Sequence, residues 1–260
     1  MANSSLATYH WNGSKANCNI RDHVIDTITI HHMAGNGSCE GCFSTLAYKS
    51  DPGSVNYGID SNGTIGVMID EDLRAWTSSN RPNDMRAVTM EVANDKPSDA
   101  GGWHVSDKAL ASVINLCVDI CKRHGKKKMI WCGSLKATEA RKFAADEMRM
   151  TIHKWFAWTG CPGAYLESKM QYIADEVTKR LNTAPTPAPK PKPKPTTGRV
   201  KAVHSCYTYD SNKKGNPAVN GAFKKGSQWT IEKVITYAGQ EWGKIKNSDK
   251  WVRMSDVEKA

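Results

Sequence analysis

The segment "DTITIHH", residues 26–32, decides how the first part of this chain is interpreted. Threonine and isoleucine alternate in it, and a period of two indicates a β-strand whose two faces differ. The strand ends in His31 and His32, whose side chains must point to opposite sides of a sheet. The segment therefore predicts a strand that delivers one of the two histidines into a site at its end.

Further strand and helix signals alternate along the rest of this part of the chain. Strands are predicted within residues 55–69 (two, about an Asn-Gly turn), 86–93 and 127–131. Helices are predicted from Ser106 to His124 and from Leu166 to Leu181, because apolar residues recur there at helical spacing. A third, polar helix is predicted from about Ser134. This order predicts an α/β fold with a central mixed β-sheet flanked by helices.

The clearest boundary is "TAPTPAPKPKPKPTTG", residues 183–198, where alternating prolines prevent a helix and favour an extended spacer. The chain is therefore predicted to have a domain at 1–182, a linker at 183–198 and a second domain at 199–260. The second domain contains short aromatic and β-branched segments separated by turns, which indicates a small all-β module.

The positive charge of the chain lies mainly in its last quarter. The 260 residues carry a net charge of +10, of which residues 199–260 contribute 12 basic and 6 acidic side chains. Residues 1–182 carry 21 basic and 20 acidic side chains and are nearly neutral. A cationic tail indicates a polyanionic partner, which is nucleic acid, a membrane surface or an anionic cell wall, unless it is simply a solvated surface.

The sequence shows no secretory signal and no membrane span. The N-terminus "MANSSLATYHWNGSK" has no basic segment followed by an apolar one, and no window approaches the roughly 18 apolar residues of a spanning helix. The eight cysteines are then expected to be thiols or metal ligands rather than disulfides. The "CEGC" pair, Cys39 and Cys42, leaves open a local disulfide, an accessory metal site or plain loop thiols.

A second histidine and a cysteine lie close together in "TIHKWFAWTGCPG", residues 151–163. His153 and Cys161 are compatible with a metal-binding pair, a redox cysteine beside a histidine, or buried packing. A catalytic zinc site usually has three protein ligands and one open position, so a metal site here needs a third ligand. His31 or His32 is the candidate for that ligand.

Glu91 and Tyr57 are the candidates for proton transfer and charge stabilisation. Glu91 interrupts the otherwise apolar strand "VTMEVA", where a carboxylate must be paired, protonated or functional. Tyr57, in "VNYGID", is a phenol that is able to donate to a developing oxyanion. A structural ion pair for Glu91 and core packing for Tyr57 are the alternatives.

Four motifs together resemble a known family. "ITIHHMAG", "VNYGIDSNGTIGVMIDEDLRAW", "RAVTMEVAND" and "HKWFAWTGCPG" are similar, in order and residue type, to the zinc-dependent N-acetylmuramoyl-L-alanine amidases, the type-2 amidase and peptidoglycan-recognition-protein family that is common among phage endolysins. The resemblance covers roughly residues 20–182. It implies hydrolysis of the amide between N-acetylmuramic acid and L-alanine in bacterial peptidoglycan, leading to host cell lysis.

The same resemblance implies a role for each matching residue. One Zn²⁺ per catalytic domain is expected on His31, His153 and Cys161. Glu91, Tyr57 and Thr159 are the expected catalytic residues, and Trp76 and His32 are expected to bind substrate. The chain departs from the family at Thr159, where lysine is common, and after Trp76, where "AWTSS" replaces "AWHA".

The segment "EWGKIKNSDKWVRMSDV" resembles the closing strands of bacterial SH3-like wall-binding domains, so a small SH3-like barrel is expected at 199–260. In it, Trp229, Trp242 and Trp251 are candidates for the core, and Tyr207, Tyr209 and Tyr237 for ligand contact. The expected partner is bacterial peptidoglycan, with no nucleic acid and no membrane insertion, and the protein is expected to be a monomer. Without a signal peptide, it is expected to stay in the host cytoplasm until a holin releases it to the cell wall.

Two other functions are compatible with these motifs. One is a non-catalytic peptidoglycan-binding protein that uses the same groove, a class in which zinc ligands are usually lost. The other is a peptidoglycan endopeptidase that cuts one bond further along the stem peptide.

Overall fold

A computed structural model describes residues 3–14, 17–183, 197–203, 206–209, 219–237 and 240–260. Most of the predicted linker, 184–196, lies outside these residues. The described residues form two compact units. The larger unit contains the described residues of Asn3–Cys18 and Ile25–Ala184. The smaller unit contains Asn19–Val24 and the described residues of the C-terminal part of the chain.

The larger unit is built on a seven-stranded mixed sheet in the order β1-β5-β4-β7-β3-β9-β8. Strands β4, β7, β3, β9 and β8 run parallel, and β5 runs antiparallel to β4. The predicted α/β fold is therefore confirmed. The elements of residues 9–182 are β1 Tyr9–His10, β2 Cys18–Ile20, β3 Thr27–His32, α1 Cys39–Tyr48, β4 Tyr57–Ile59, β5 Ile65–Val67, β6 Leu73–Ala75, α2 Arg81–Arg86, β7 Ala87–Val92, α3 Asp107–Arg123, β8 Lys128–Ile130, α4 Leu135–Ala140, β9 Glu147–Ile152 and α5 Ala164–Asn182.

Strand β3 has the two different faces that its sequence predicts. Ile28 and Ile30 are fully buried in the core that the sheet forms with α3 and α5. On the other face, the hydroxyls of Thr29 and Thr151 form a hydrogen bond of 2.8 Å, and the side-chain amide nitrogen of Asn83 donates to the Thr29 hydroxyl at 2.9 Å. One face of the strand is thus apolar and the other is a buried polar layer whose hydroxyls are hydrogen-bonded.

The predicted helix starts agree with the structure, but helices α1 and α2 were not predicted. Ser106 and Ser134 are the N-caps of α3 and α4, and each accepts a backbone hydrogen bond with its hydroxyl. Helix α1 begins at Cys39, so the "CEGC" motif forms its first turn. Its N-cap, Ser38, accepts a hydrogen bond from the backbone of Gly41 at 3.1 Å.

A buried ionic network ties the end of α3 to the sheet. The Arg123 guanidinium donates to both oxygens of the Glu71 carboxylate, at 2.6 and 2.7 Å. His124 Nε2 lies 2.7 Å from Glu71 Oε1, and the Tyr57 hydroxyl donates to Oε2 at 2.7 Å. Hydrogen bonds from His124 and Arg123 outweigh burial and hold the pKa of the fully buried Glu71 well below its usual range.

The smaller unit contains an antiparallel sheet in the order β12-β11-β15-β14-β13-β10-β16. Its strands are β10 Gly198–Ala202, β11 Cys206–Tyr209, β12 Val219–Phe223, β13 Gln228–Tyr237, β14 Gln240–Ile245, β15 Trp251–Arg253 and β16 Val257–Lys259. This confirms the all-β prediction, whereas closure into an SH3-like barrel stays a prediction.

The tryptophans of the smaller unit lie where core residues are expected. Trp242 and Trp251 are buried, and Trp229 is partly buried against the apolar cluster around Ile231 and Val252. The side chains of Tyr207, Tyr209 and Tyr237 lie outside the described part of the chain. None of the described helices is long and apolar enough to cross a membrane.

The Glu71 network predicts a specific loss of stability in acid. Because the pKa of Glu71 is lower in the folded than in the unfolded protein, its contribution is complete above about pH 5 and declines as the pH falls below the unfolded value of roughly 4.3. Glu71→Gln should lower the free energy of unfolding at pH 7 by about 3 kcal/mol, because the buried Arg123 charge loses its partner.

Urea unfolding of the wild type and Glu71→Gln between pH 3 and pH 7 measures this difference. The difference should shrink toward pH 3. Glu176→Gln, which removes surface ion pairs with Lys179 and Arg180, is the matched control and should change stability by less than about 1 kcal/mol. A constant difference between Glu71→Gln and wild type across the pH range would contradict the assignment.

Candidate metal centre

Three side chains that are far apart in sequence meet at one edge of the sheet. His31 lies near the end of β3, His153 directly follows β9, and Cys161 lies in the loop before α5. Because β3 and β9 are parallel neighbours, their carboxyl ends reach the same edge. One ligand atom from each of the three residues lies within 4.8 Å of the other two. The structure therefore brings together the predicted ligand set and selects His31 over His32.

The surroundings of these atoms fit a bound metal ion. His31 Nε2 and His153 Nε2 are buried and have no hydrogen-bond partner among the described residues, and Cys161 Sγ lies 3.5 Å from His31 Nδ1. Burial lowers the pKa of His31 well below its usual value, so its imidazole is neutral and free to coordinate. Two imidazole nitrogens and one thiolate are a donor set that zinc prefers.

Burial also raises the pKa of the Cys161 thiol well above its usual value, and the Glu91 charge raises it further. Without a cation the thiol keeps its proton, whereas a metal ion at this position displaces that proton. The backbone N–H of His32 already donates to Cys161 Sγ at 3.4 Å, which favours the thiolate.

Short contacts hold the loop that carries Cys161. The backbone N–H of Cys161 donates to Thr159 Oγ1 at 3.2 Å, and its carbonyl accepts from Lys154 at 3.1 Å. Gly163 follows with φ at +82°, and a Cβ there would lie 2.7 Å from Trp103 Cβ. Only glycine combines this backbone conformation with so close an approach. Thr159 itself is exposed.

His32 packs beside this loop rather than among the metal ligands. Its ring lies edge-on to Trp103, with centroids 5.1 Å apart, and its Nδ1 would be 3.0 Å from a Cβ on Gly163. Burial lowers the pKa of His32, and Asn94 opposes this shift through a hydrogen bond. His32 also lines the groove described below, so its predicted contact with substrate stays a prediction.

Glu91 lies directly beside His31. The two residues are register partners in the parallel strands β7 and β3, so their side chains leave the same face of the sheet. Glu91 Oε2 is buried without a hydrogen-bond partner among the described residues. Burial raises the pKa of Glu91 to about 8, and the positive charge of Lys49 opposes this shift. The alternative of a structural ion pair is not supported, because no described cation lies within 4.0 Å of its carboxylate.

A groove runs from this edge of the sheet along α1. It encloses about 260 Å³, with Glu91 and His32 on the side of the sheet and Cys42, Thr45 and Leu46 on the side of the helix. The sequence interpretation missed this helical wall. The spacing of residues 42, 45 and 46, which are one helical turn apart, was the signal that α1 presents one face to a groove.

The two cysteines of the "CEGC" motif have separate surroundings. Cys39 and Cys42 are both free thiols. Cys39 is buried and donates to the carbonyl of Gly58 at 3.3 Å, while Cys42 lines the groove. A local disulfide is therefore absent from the structure, and Cys39 acts as a packing residue.

Tyr57 was predicted to stabilise an oxyanion beside the metal, and the structure contradicts this prediction. Tyr57 is the register partner of Met90, so its side chain leaves the opposite face of the sheet from Glu91. It is fully buried, its hydroxyl donates to Glu71, and the backbone N–H of Ser4 donates to it at 2.9 Å. Tyr57 is a core residue of the ionic network.

Trp76 is exposed at the surface of the larger unit. Its side chain is 43% exposed, and the Arg74 guanidinium lies 5.3 Å from its ring centroid. The backbone carbonyl of Trp76 accepts from Ser54 at 3.0 Å, which fixes the segment. Its role stays a prediction.

The ligand set predicts which cysteine the metal needs. Cys161→Ser should reduce bound zinc from about one equivalent to less than about 0.2, because a hydroxyl does not ionise to replace the thiolate. Elemental analysis after dialysis against buffered zinc measures this content. Cys132→Ser, which changes a partly exposed thiol outside the ligand set, is the control and should keep one equivalent. Equal zinc contents in the two variants would exclude this centre.

Tyr57→Phe separates the core role of Tyr57 from the predicted catalytic one. Removing the hydroxyl should lower the free energy of unfolding by about 1–3 kcal/mol, because Ser4 N–H and Glu71 Oε2 each lose a buried partner. Zinc content and wall hydrolysis should stay within about twofold of wild type. A tenfold loss of turnover in a variant of unchanged stability would restore the catalytic role.

Comparisons with known proteins gave a matching family model and similar solved structures. The family model described as N-acetylmuramoyl-L-alanine amidase (Amidase_2) matches residues 21–164. The similar solved structures include an endolysin N-acetylmuramoyl-L-alanine amidase from Clostridium intestinale (16% identity, 68% of this chain and 95% of that chain, TM-score 0.45). They also include PlyL (14% identity, 62% of this chain and 88% of that chain, TM-score 0.44). A third is the Drosophila peptidoglycan recognition protein SD (14% identity, 61% of this chain and 86% of that chain, TM-score 0.40). A search of curated proteins gave no significant match. Because the family model spans more than half of its residues, this chain belongs to the N-acetylmuramoyl-L-alanine amidase family, Amidase_2.

Proposed function

We propose that this protein is a zinc-dependent endolysin that hydrolyses the amide bond between N-acetylmuramic acid and L-alanine in bacterial peptidoglycan. The observation that carries the proposal is the convergence of His31, His153 and Cys161 beside an unpartnered buried carboxylate, Glu91. Family membership gives the substrate class, and the retained ligand set favours an enzyme over a non-catalytic receptor.

The three ligands would hold one Zn²⁺ in the catalytic domain. Zinc bound there supplies a Lewis acid, which polarises a carbonyl oxygen and makes water acidic enough to attack near neutral pH. The buried, neutral imidazole of His31 is ready to coordinate without first losing a proton.

Glu91 is the proposed general base and acid. Its carboxylate faces the same side of the sheet as His31, and Oε2 has no competing hydrogen bond among the described residues. It takes the proton of the attacking water and delivers it to the leaving L-alanine nitrogen. Burial raises the pKa of Glu91 and so favours proton uptake, whereas a bound Zn²⁺ would favour the carboxylate that accepts the proton.

Thr159 is the remaining candidate for stabilising the oxyanion, since Tyr57 lies on the other face of the sheet. The Thr159 oxygen accepts from the backbone of Cys161, which leaves its hydroxyl hydrogen available for donation toward the groove. His32 and Trp76 are proposed to contact the substrate on either side of the metal.

The proposed division of labour is a catalytic domain at 1–182, a linker at 183–198 and a wall-binding SH3-like domain at 199–260. The net charge of +6 on the last domain supports attraction to an anionic wall. A tethered module of this kind raises the local concentration of the catalytic domain at its substrate. The protein would act as a monomer, held in the host cytoplasm until a holin releases it, and would then lyse the host.

Mass spectrometry of purified cell wall after digestion tests the function. The expected products are intact stem peptides that begin at L-alanine, together with glycan strands of unchanged length. Peptides that begin after L-alanine would identify an endopeptidase instead. Absence of cleavage, with the wall still bound, would identify a non-catalytic receptor.

Glu91→Gln is the matched variant in the same digestion. It should keep about one equivalent of zinc and lose at least a hundredfold in turnover, because proton transfer by a positioned group typically contributes 10²- to 10⁴-fold. Near-normal turnover of Glu91→Gln would remove Glu91 from this role while leaving the identity of the cleaved bond unaffected.

A further inference from the structure

The groove beside the metal centre has a positive charge that the mechanism does not yet use. Thr159 occupies the position two residues before Cys161, where the family that the sequence resembles often carries a lysine, and it is uncharged. The cation is the ammonium of Lys49, which lies beside the groove residue Leu46 at the end of α1.

Lys49 lies at the end of the helical face that forms the groove wall. It is the C-cap of α1, and it follows Thr45 and Leu46 by four and three residues, the spacing of neighbours on one helix face. A Cβ on Gly53 would lie 3.7 Å from Lys49 Nζ and 3.8 Å from Leu46 Cδ2. The ammonium is therefore beside a groove residue.

The Lys49 side chain is exposed and forms no ion pair with a described carboxylate. Gly53, which lies under its ammonium, is also close to the segment of Trp76, because a Cβ on Gly53 would be 3.1 Å from the Trp76 carbonyl oxygen. An ammonium that no described carboxylate neutralises, and that lies beside a groove residue, is available to a ligand.

The groove has room for a ligand along this wall. Gly35, Gly37 and Gly41 line it, and none has a positive φ. A Cβ on any of them would meet no neighbour closer than 3.5 Å, so packing does not require glycine there. Gly41 lies within α1, where glycine costs about 1 kcal/mol relative to alanine. The unpartnered Glu91 Oε2 lies in the same groove and points to a polar occupant.

We propose that Lys49 binds a carboxylate in the peptide part of the substrate and so determines specificity for acidic over amidated stem peptides. The inference rests on the proposed function for the identity of the substrate. A carboxylate matches the ammonium in charge, and the ion pair forms in a partly enclosed groove where it is less screened than on an open surface. A neutral carboxamide at the same position would leave the ammonium without its partner.

Calorimetry with two synthetic muramoyl peptides tests the proposal. The peptides differ only in the second residue of the stem, which carries either a free α-carboxylate or a carboxamide. Binding is measured to the full-length Glu91→Gln protein, which holds zinc without turning the peptides over. It is measured again after Lys49→Met, Lys49→Arg or Lys136→Met is added. Lys136 is an exposed lysine on α4, outside the groove lining, and serves as the matched control.

The protein with Lys49 should bind the acidic peptide about tenfold more tightly than the amidated one. Lys49→Met should abolish this preference by weakening the acidic peptide alone, Lys49→Arg should keep most of it, and Lys136→Met should keep all of it. Equal affinity for the two peptides before Lys49 is changed, or an equal loss for both after Lys49→Met, would overturn the proposal. So would a lack of binding of either peptide.

This measurement does not depend on cleavage. If the wild type leaves the wall uncut but Lys49→Met abolishes the binding preference, the proposed activity is contradicted and the role of Lys49 is supported. If the wild type cleaves at the L-alanine bond but the two peptides bind equally well, the activity is supported and the role of Lys49 is contradicted.

Discussion

The parallel register of β3 against β7 and β9 is the constraint on which the site depends. It places His31 beside Glu91 and brings the end of β9, with His153, to the same edge of the sheet. Because side chains alternate along a strand, a slip of one residue would turn His31 into the apolar core and expose Ile30 to the polar layer. Burial of the isoleucine face therefore fixes the position of the metal ligand.

On the polar face of the sheet, the buried side chains of one layer are hydrogen-bonded to one another, whereas some nitrogen atoms at the edge have no hydrogen-bond partner among the described residues. Thr29, Thr151 and Asn83 bond to one another beneath the site, so their burial costs little. At the edge, the Nε2 atoms of His31 and His153 are buried without partners among the described residues. A metal ion bound to one ligand atom each of His31, His153 and Cys161 would stabilise the folded state, because only folding brings these atoms together. Metal binding and stability of the folded state are consequently linked.

Local pattern was sufficient to predict strands β3, β4, β5, β7 and β8 and the N-caps of α3 and α4, because alternation and capping are encoded within a few residues. It did not predict β9, the strand that precedes His153. It was not sufficient for Tyr57. The side of a sheet on which a residue lies depends on register with a neighbouring strand, and Tyr57 is paired with Met90 rather than with Glu91. The choice of His31 over His32 depended on the same information. Helix α1 was missed because its weakly apolar sequence begins with a cysteine motif that has several other uses.

The difference at Thr159 follows from how the metal loop is held. The backbone N–H of Cys161 needs an acceptor two residues earlier, and the Thr159 hydroxyl supplies it at 3.2 Å. A lysine side chain has donors but no acceptor, so it would leave this N–H without that bond. The Thr159 hydroxyl that holds the ligand loop carries no charge. In the proposal made above, the positive charge for the substrate comes instead from Lys49, whose ammonium lies beside the groove residue Leu46.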